Sequence, residues 1–182
     1  VIKALHEIFG LKTDLTMRRS VLHKTPNWLI EVPSQKGLNA ALRVLGVLDK
    51  EGHLERGISK DLVKKRCCSA AYLRGVFLGS GFIANPKGDF HFEITVETQT
   101  MANDVVELMA SAGIVAKVTE RRNSFTIYLK SGSAISSFLA LVGAHQCALK
   151  MENERVLKSV RNDVNRRVNA EIANQAKTAQ AS

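Results

Sequence analysis

Cysteine is too scarce here for a disulfide framework: there are three, two of them adjacent at Cys67 and Cys68, and no spacing suits a zinc site. They read as buried, reduced thiols. No apolar run is long enough to span a bilayer and no secretory signal pattern opens the chain, so a cytoplasmic protein without a membrane partner is expected. A starting methionine is also missing. Val1 falls inside an amphipathic helix pattern, which marks the sequence as a fragment.

What is present is ample for a core. The 182 residues are 45% hydrophobic, which suits one domain, or one domain with an extension. The net charge of +9 is unevenly spread: residues 1–49 carry +3, 50–74 carry +4, 75–150 are neutral and 151–182 carry +2. A basic balance is a mild footprint of polyanion binding.

The first fifty residues read helix, strand, strand, helix. A helix runs from Ile2 to Phe9 and stops at Gly10. Alternation follows through Leu15, Met17 and Arg19, then a turn at Pro26-Asn27, a strand from Trp28 to Val32, and a helix from about Gly37 to Leu45. The same order recurs between Ala102 and Gly143, and residues recur with it. Shifted by 103, Leu5, Gly10, Thr16, Arg18 and Arg19 fall on Leu108, Gly113, Thr119, Arg121 and Arg122. Shifted by 97, Trp28, Ile30, Val32, Leu42 and Gly46 fall on Phe125, Ile127, Leu129, Leu139 and Gly143. The change of shift puts six extra residues in the first hairpin turn. This is an internal duplication.

The second repeat is preceded by further elements. A helix spans Ala70 to Gly81, a short strand lies near Phe82 to Ala84, a turn falls at Asn85-Pro86-Lys87-Gly88, and a strand runs from Phe90 to Val96. Between the repeats, Ser59 is placed to cap a helix from Lys60 to Cys67. After Gly143 one long helix reads from Glu152 to about Ala179, with Val156, Val160, Val164, Val168 and Ile172 four apart, a ridge expected to wrap across its support. The expected boundaries are 1–48 for a truncated first repeat, 49–69 for a basic connector, 70–144 for the second repeat and 145–182 for the final helix and the start of a linker.

In the Ala70 helix, Ala71, Gly75 and Gly79 fall on one face, and two glycines in a helix interior imply close approach by another helix. Leu73-Arg74-Gly75-Val76-Phe77-Leu78-Gly79-Ser80-Gly81 resembles the nine-residue LAGLIDADG motif of homing endonucleases, whose paired helices meet at these small residues. The resemblance implies an α+β saddle with pseudo-twofold symmetry, each half running helix, two strands, helix, two strands, helix, the first half here truncated and a long C-terminal helix added. It also places the motif's metal-binding acid at Ser80, and a hydroxyl cannot replace that carboxylate on a hard cation.

Four further stretches narrow the resemblance: Lys64 to Leu78, His91-Phe92-Glu93-Ile94, Gly143-Ala144-His145-Gln146, and Arg161 to Asn169. Together they resemble the WhiA family of bacterial sporulation and cell-division regulators, which join a degenerate, non-cleaving LAGLIDADG domain to a C-terminal helix-turn-helix domain that binds promoter DNA. The resemblance implies a nucleoid-associated regulator, a double-stranded DNA partner bound weakly by this part, and a possible protein partner. It implies no cofactor. The twin of the Ala70 helix would precede Val1, leaving the fragment a monomer, or a dimer through Ala71, Gly75 and Gly79.

Candidate DNA contacts fall in three groups, each with a plain solvated face as its alternative and, for the asparagine-rich long helix, a polar interface with another protein segment as well. Alternation sets His91, Glu93, Thr95, Glu97, Lys117, Thr119, Arg121, Thr126, Tyr128 and Lys130 on one sheet face, with Arg18 equivalent to Arg121 by the repeat. On the long helix Arg155, Lys158, Asn162, Asn165, Arg166 and Asn169 gather opposite the valines, with Arg161 beside them. Lys60, Lys64, Lys65 and Arg66 form the third group. Two other functions stay open: a docking module that never touches DNA, and an active endonuclease using Asp89, His91, Glu93 and Glu97, which the serine at position 80 opposes.

Overall fold

The computed structural model describes residues 1–19 and 26–181. The fold is α+β, and it divides into two compact units, Val1–Glu55 and Arg56–Ser182. The first holds α1 (Ile2–Phe9), β1 (Asp14–Arg19), β2 (Pro26–Glu31) and α2 (Leu38–Val44). The second holds a 3₁₀ turn (Lys60–Val63), α3 (Arg66–Ser80), β3 (Gly81–Ile83), β4 (Phe92–Val96), α4 (Gln99–Ser111), β5 (Lys117–Arg121), β6 (Ser124–Leu129), α5 (Gly132–Leu141) and α6 (His145–Ala181). Among the described residues no helix is long and apolar enough to cross a membrane.

The duplication extends to the register of the strands. In the β1–β2 hairpin Leu15 faces Ile30 and Thr16 faces Leu29; in the β5–β6 hairpin Val118 faces Ile127 and Thr119 faces Thr126, the same pairs after the two shifts. The helix ends repeat as well. Gly10 and Gly113 take φ of 64° and 79°, and Gly46 and Gly143 take 68° and 85°, a left-handed conformation that glycine adopts without steric cost. After α2 the amide of Val47 donates to the Leu42 carbonyl at 2.8 Å, and after α5 the amide of Ala144 donates to Leu139 at 2.7 Å.

Hairpin length separates the repeats. β5 and β6 are joined by Arg122 and Asn123, both at positive φ, the two-residue turn that matches the twist of paired strands. In the first unit Arg19 faces Pro26, so the expected Pro26-Asn27 turn is strand instead, and the connection falls among 20–25, outside the described residues.

The second unit's core lies between one face of the sheet β3-β4-β6-β5 and helices α3, α4 and α5. Phe92 and Ile94 of β4 and Ile127 and Leu129 of β6 point into it, as period-two alternation requires. Leu73 supplies the centre of α3, Val105 and Met109 the inner face of α4, and Ile135 and Phe138 that of α5. Thr98 caps α4 by accepting from the Met101 amide at 3.2 Å. Arg74 reaches from α3 to the end of α5, where its Nε donates to the Val142 carbonyl at 2.7 Å. Arg74→Ala removes the donor from a carbonyl at a helix end and is expected to cost about 1.5 kcal/mol in a urea denaturation, whereas the loss of a solvated arginine would leave the midpoint in place.

Several local expectations fail for tertiary reasons. The Lys60–Cys67 helix is broken: Ser59 makes no capping bond, the 3₁₀ turn ends at Val63, and Lys65 is extended before α3 begins. Ser69 ties the break together by donating to the Val63 carbonyl at 2.8 Å. β4 begins at Phe92, and Phe90 instead packs its ring against Gly132 and under the Lys158 ammonium. The cysteines are not buried, with Cys67 and Cys147 exposed and Cys68 half-buried. α6 starts at His145, is held against α5 through Ala148 and Met151, and leaves its ridge from Val156 to Ile172 between 45% and 59% exposed instead of wrapped on a support.

Candidate nucleic-acid interface

Strand register brings the polar face together in rows. Glu93 of β4, Tyr128 of β6 and Lys117 of β5 stand side by side, then Thr95, Thr126 and Thr119. Arg121 follows one step further along β5, opposite Ser124. A shallow concavity of about 150 Å³ opens on this face, lined by His91, Glu93, Thr119, Arg121, Tyr128 and Lys130 around the nearly buried Thr126. His91 Nε2 lies 3.1 Å from Glu93 Oε2, so one of the two acids is already engaged. Lys130 lies over the Tyr128 ring at 5.6 Å. The ammonium groups of Lys117 and Lys130 and the guanidinium of Arg121 belong to exposed residues, three cations spread along one sheet face, an arrangement able to neutralise successive phosphates.

The other candidates separate when placed. Arg18 is exposed on β1 of the first unit, opposite Asn27 in register. Arg155 is bound to Glu152 at 2.8 Å, and that hydrogen bond holds the Glu152 carboxyl below its usual range. Lys158 is a tether: its ammonium donates to the Gly88 carbonyl and sits 4.1 Å from the centre of the Phe90 ring. The open part of the helical stripe therefore begins at Arg161 and runs through Asn162, Asn165, Arg166 and Asn169, all exposed. In the third group Lys64 pairs with Asp61 at 2.7 Å, and Lys65 stands at the start of α3.

On α3 the small residues face outward. Ala71, Gly75 and Gly79 are exposed, and a Cβ built on either glycine meets nothing within 4 Å. Ser80 is exposed too, its hydroxyl donating weakly to the Val76 carbonyl at 3.4 Å. Among the described residues, three potential metal-ligand atoms come within 4.8 Å of one another at Asp49, Glu51 and His53 in the first unit, not among Asp89, His91, Glu93 and Glu97. Sequence reading missed that trio, although its alternate spacing was visible. Asp49 serves the turn itself, accepting from the His53 amide at 2.8 Å. Asp104 was missed as well: it accepts from the Ile58 amide at 2.7 Å and helps raise the Tyr72 pKa, after the larger effect of burial.

Residues 69–161, which span most of α3, the whole four-stranded sheet and nearly half of α6, match the family model of the WhiA LAGLIDADG-like domain. The chain belongs to the WhiA family. It is 42% identical over 183 residues to a probable cell division protein WhiA of Desulforamulus reducens and 40% identical over 182 residues to that of Desulforudis audaxviator, covering 57% and 58% of them. The chain thus spans a little over half the length of the curated relatives it matches. Full-length DUF199/WhiA from Thermatoga maritima has the same fold, with a TM-score of 0.67 at 22% identity over 98% of this chain and 55% of that one. The homing endonuclease I-DmoI, in mesophilic variants, matches with a TM-score of 0.53 at 12% identity over 77% of this chain and 68% of that one. These likenesses show a LAGLIDADG fold in a chain whose WhiA relatives are named for cell division.

Proposed function

We propose that this chain is the LAGLIDADG-like part of a DNA-binding transcriptional regulator of bacterial cell division and sporulation, acting at the nucleoid, and that it holds duplex phosphates without cutting them. The observation that carries this reading is the sheet face on which Lys117, Arg121 and Lys130 surround a row of three threonines. Cations and hydroxyls at that spacing position a duplex and carry little base specificity, which suits a scaffold whose sequence readout lies elsewhere. Ser80 supports the non-cleaving part, because metal-assisted hydrolysis needs a fixed carboxylate where this chain has a hydroxyl.

A second reading, a protein-docking module, is favoured by one feature: the aliphatic ridge of α6, Val156, Val160, Val164, Val168 and Ile172, is exposed. The two readings part on one variant. Replacing Lys117, Arg121 and Lys130 together with alanine is expected to make duplex binding less salt-dependent by about three units of slope, one for each phosphate contact, measured by fluorescence anisotropy. An unchanged slope would leave the docking module as the better account. Incubation of supercoiled plasmid with magnesium is expected to give no nicked product.

A further inference from the structure

Away from the sheet face, a concavity of about 460 Å³ lies between the 3₁₀ turn, α3, α4 and α5. Its floor is apolar, made by Leu73 with Ile58, Val63, Leu108 and Leu141. Its rim is cationic, carrying Lys60, Lys64 and Arg66. Lys64 is paired with Asp61, but Lys60 and Arg66 form no ion pair among the described residues. Two acids also line the cavity. Asp104 is turned to the chain, accepting from the Ile58 amide, and Glu107 is exposed.

One wall is built in advance. Thr98 Oγ1 donates to the Arg56 carbonyl at 2.9 Å and Asp104 accepts from Ile58 at 2.7 Å, fixing residues 56–58 against α4. Gly57 sits between these bonds with no room for a side chain, since a Cβ there would lie 2.3 Å from Asp104 Oδ2. A preformed cavity of this volume falls within the roughly 300–1,000 Å³ range of small-molecule sites.

The chemistry of the lining selects among ligands. A neutral apolar molecule would gain nothing from Lys60 and Arg66, which are exposed on the rim. A small inorganic anion would leave the leucine floor in water. A molecule with an apolar body and one anionic group satisfies both. We propose that this cavity binds an amphipathic organic anion, its body on Val63, Leu108 and Leu141 and its carboxylate or phosphate between Lys60 and Arg66.

Sodium decanoate is the probe, titrated into the isotope-labelled chain and followed through amide chemical shifts by NMR. Saturable shifts at Ile58, Ser69, Leu108 and Ser111 are expected. Binding is expected to be weaker by about fivefold in a Lys60→Ala/Arg66→Ala double variant and unchanged in Lys150→Ala, whose charge lies outside the cavity. Decanol, which lacks the charge, is expected to bind no better to the native chain than decanoate does to the double variant. The variant's own amide spectrum reports whether it is folded. Shifts confined to α6 or the sheet face, absence of saturation, or equal affinity in the folded double variant would overturn the proposal.

Discussion

Phe92→Ala is expected to cost about 4 kcal/mol, the largest effect of any single substitution in the second unit. Phe92 is fully buried on β4, where its ring stacks on Phe77 of α3 at 5.2 Å and meets Phe138 of α5 edge-on at 4.6 Å. Phe77 and Phe138 also touch edge to face at 5.6 Å, so three rings close a triangle across two helices and the sheet. Removing the strand's ring takes away transfer energy, two aromatic contacts and the support on which both helices rest. Chemical denaturation should show a lower midpoint with an unchanged slope. Phe82→Ala, at a ring that is 53% exposed on the neighbouring strand, should cost no more than about 1 kcal/mol. Equal losses from the two would mean that the triangle is not the centre of the core.

Gly81→Ala is expected to cost about 3 kcal/mol, for a reason specific to the ninth residue of the motif. Gly81 has φ of −91° and ψ of 152°, a conformation open to any residue, so its backbone does not demand glycine. Space does. A Cβ there would lie 2.1 Å from a Phe77 ring carbon and 2.5 Å from the Phe77 carbonyl oxygen. The ring could yield only by leaving its stack on Phe92, and the carbonyl accepts the Gly81 amide at the end of α3. The same change at Gly75, where nothing lies within 4 Å, should instead stabilise the helix by up to about 1 kcal/mol in this chain. Parallel thermal melts of the two variants separate these expectations by opposite signs.

What could be read from the sequence was whatever depends on local period or on repetition. Two shifts in the numbering were enough to show the duplication, and the pairing in the two hairpins repeats under the same shifts, although the Pro26-Asn27 turn read from the sequence is strand. Glycines recurring after equivalent helices marked the same left-handed ends for the same reason. The polar face of β4, β5 and β6 was legible from alternation alone. Long-range contacts were not. Lys158 reads as one more cation on a stripe until Gly88, seventy residues earlier, accepts from it. The break at Lys64-Lys65 is tied by the Ser69 hydroxyl on the Val63 carbonyl, a bond that local propensity does not register. Nor does counting cysteines reveal that two are exposed. The spacing of the α6 ridge was visible, but a spacing carries no information about its cover.

On the proposed reading, the sheet face of a LAGLIDADG fold with Ser80 at the position of the motif acid contributes phosphate contacts of its own. The direct measurement is the affinity of this chain for a labelled duplex across a salt series, by fluorescence anisotropy, for the native chain and the Lys117→Ala/Arg121→Ala/Lys130→Ala variant. The native affinity is expected to fall steeply with salt, and the variant's logarithmic slope to be shallower by about three units. Absence of binding at low salt, or the same slope in both proteins, would contradict it.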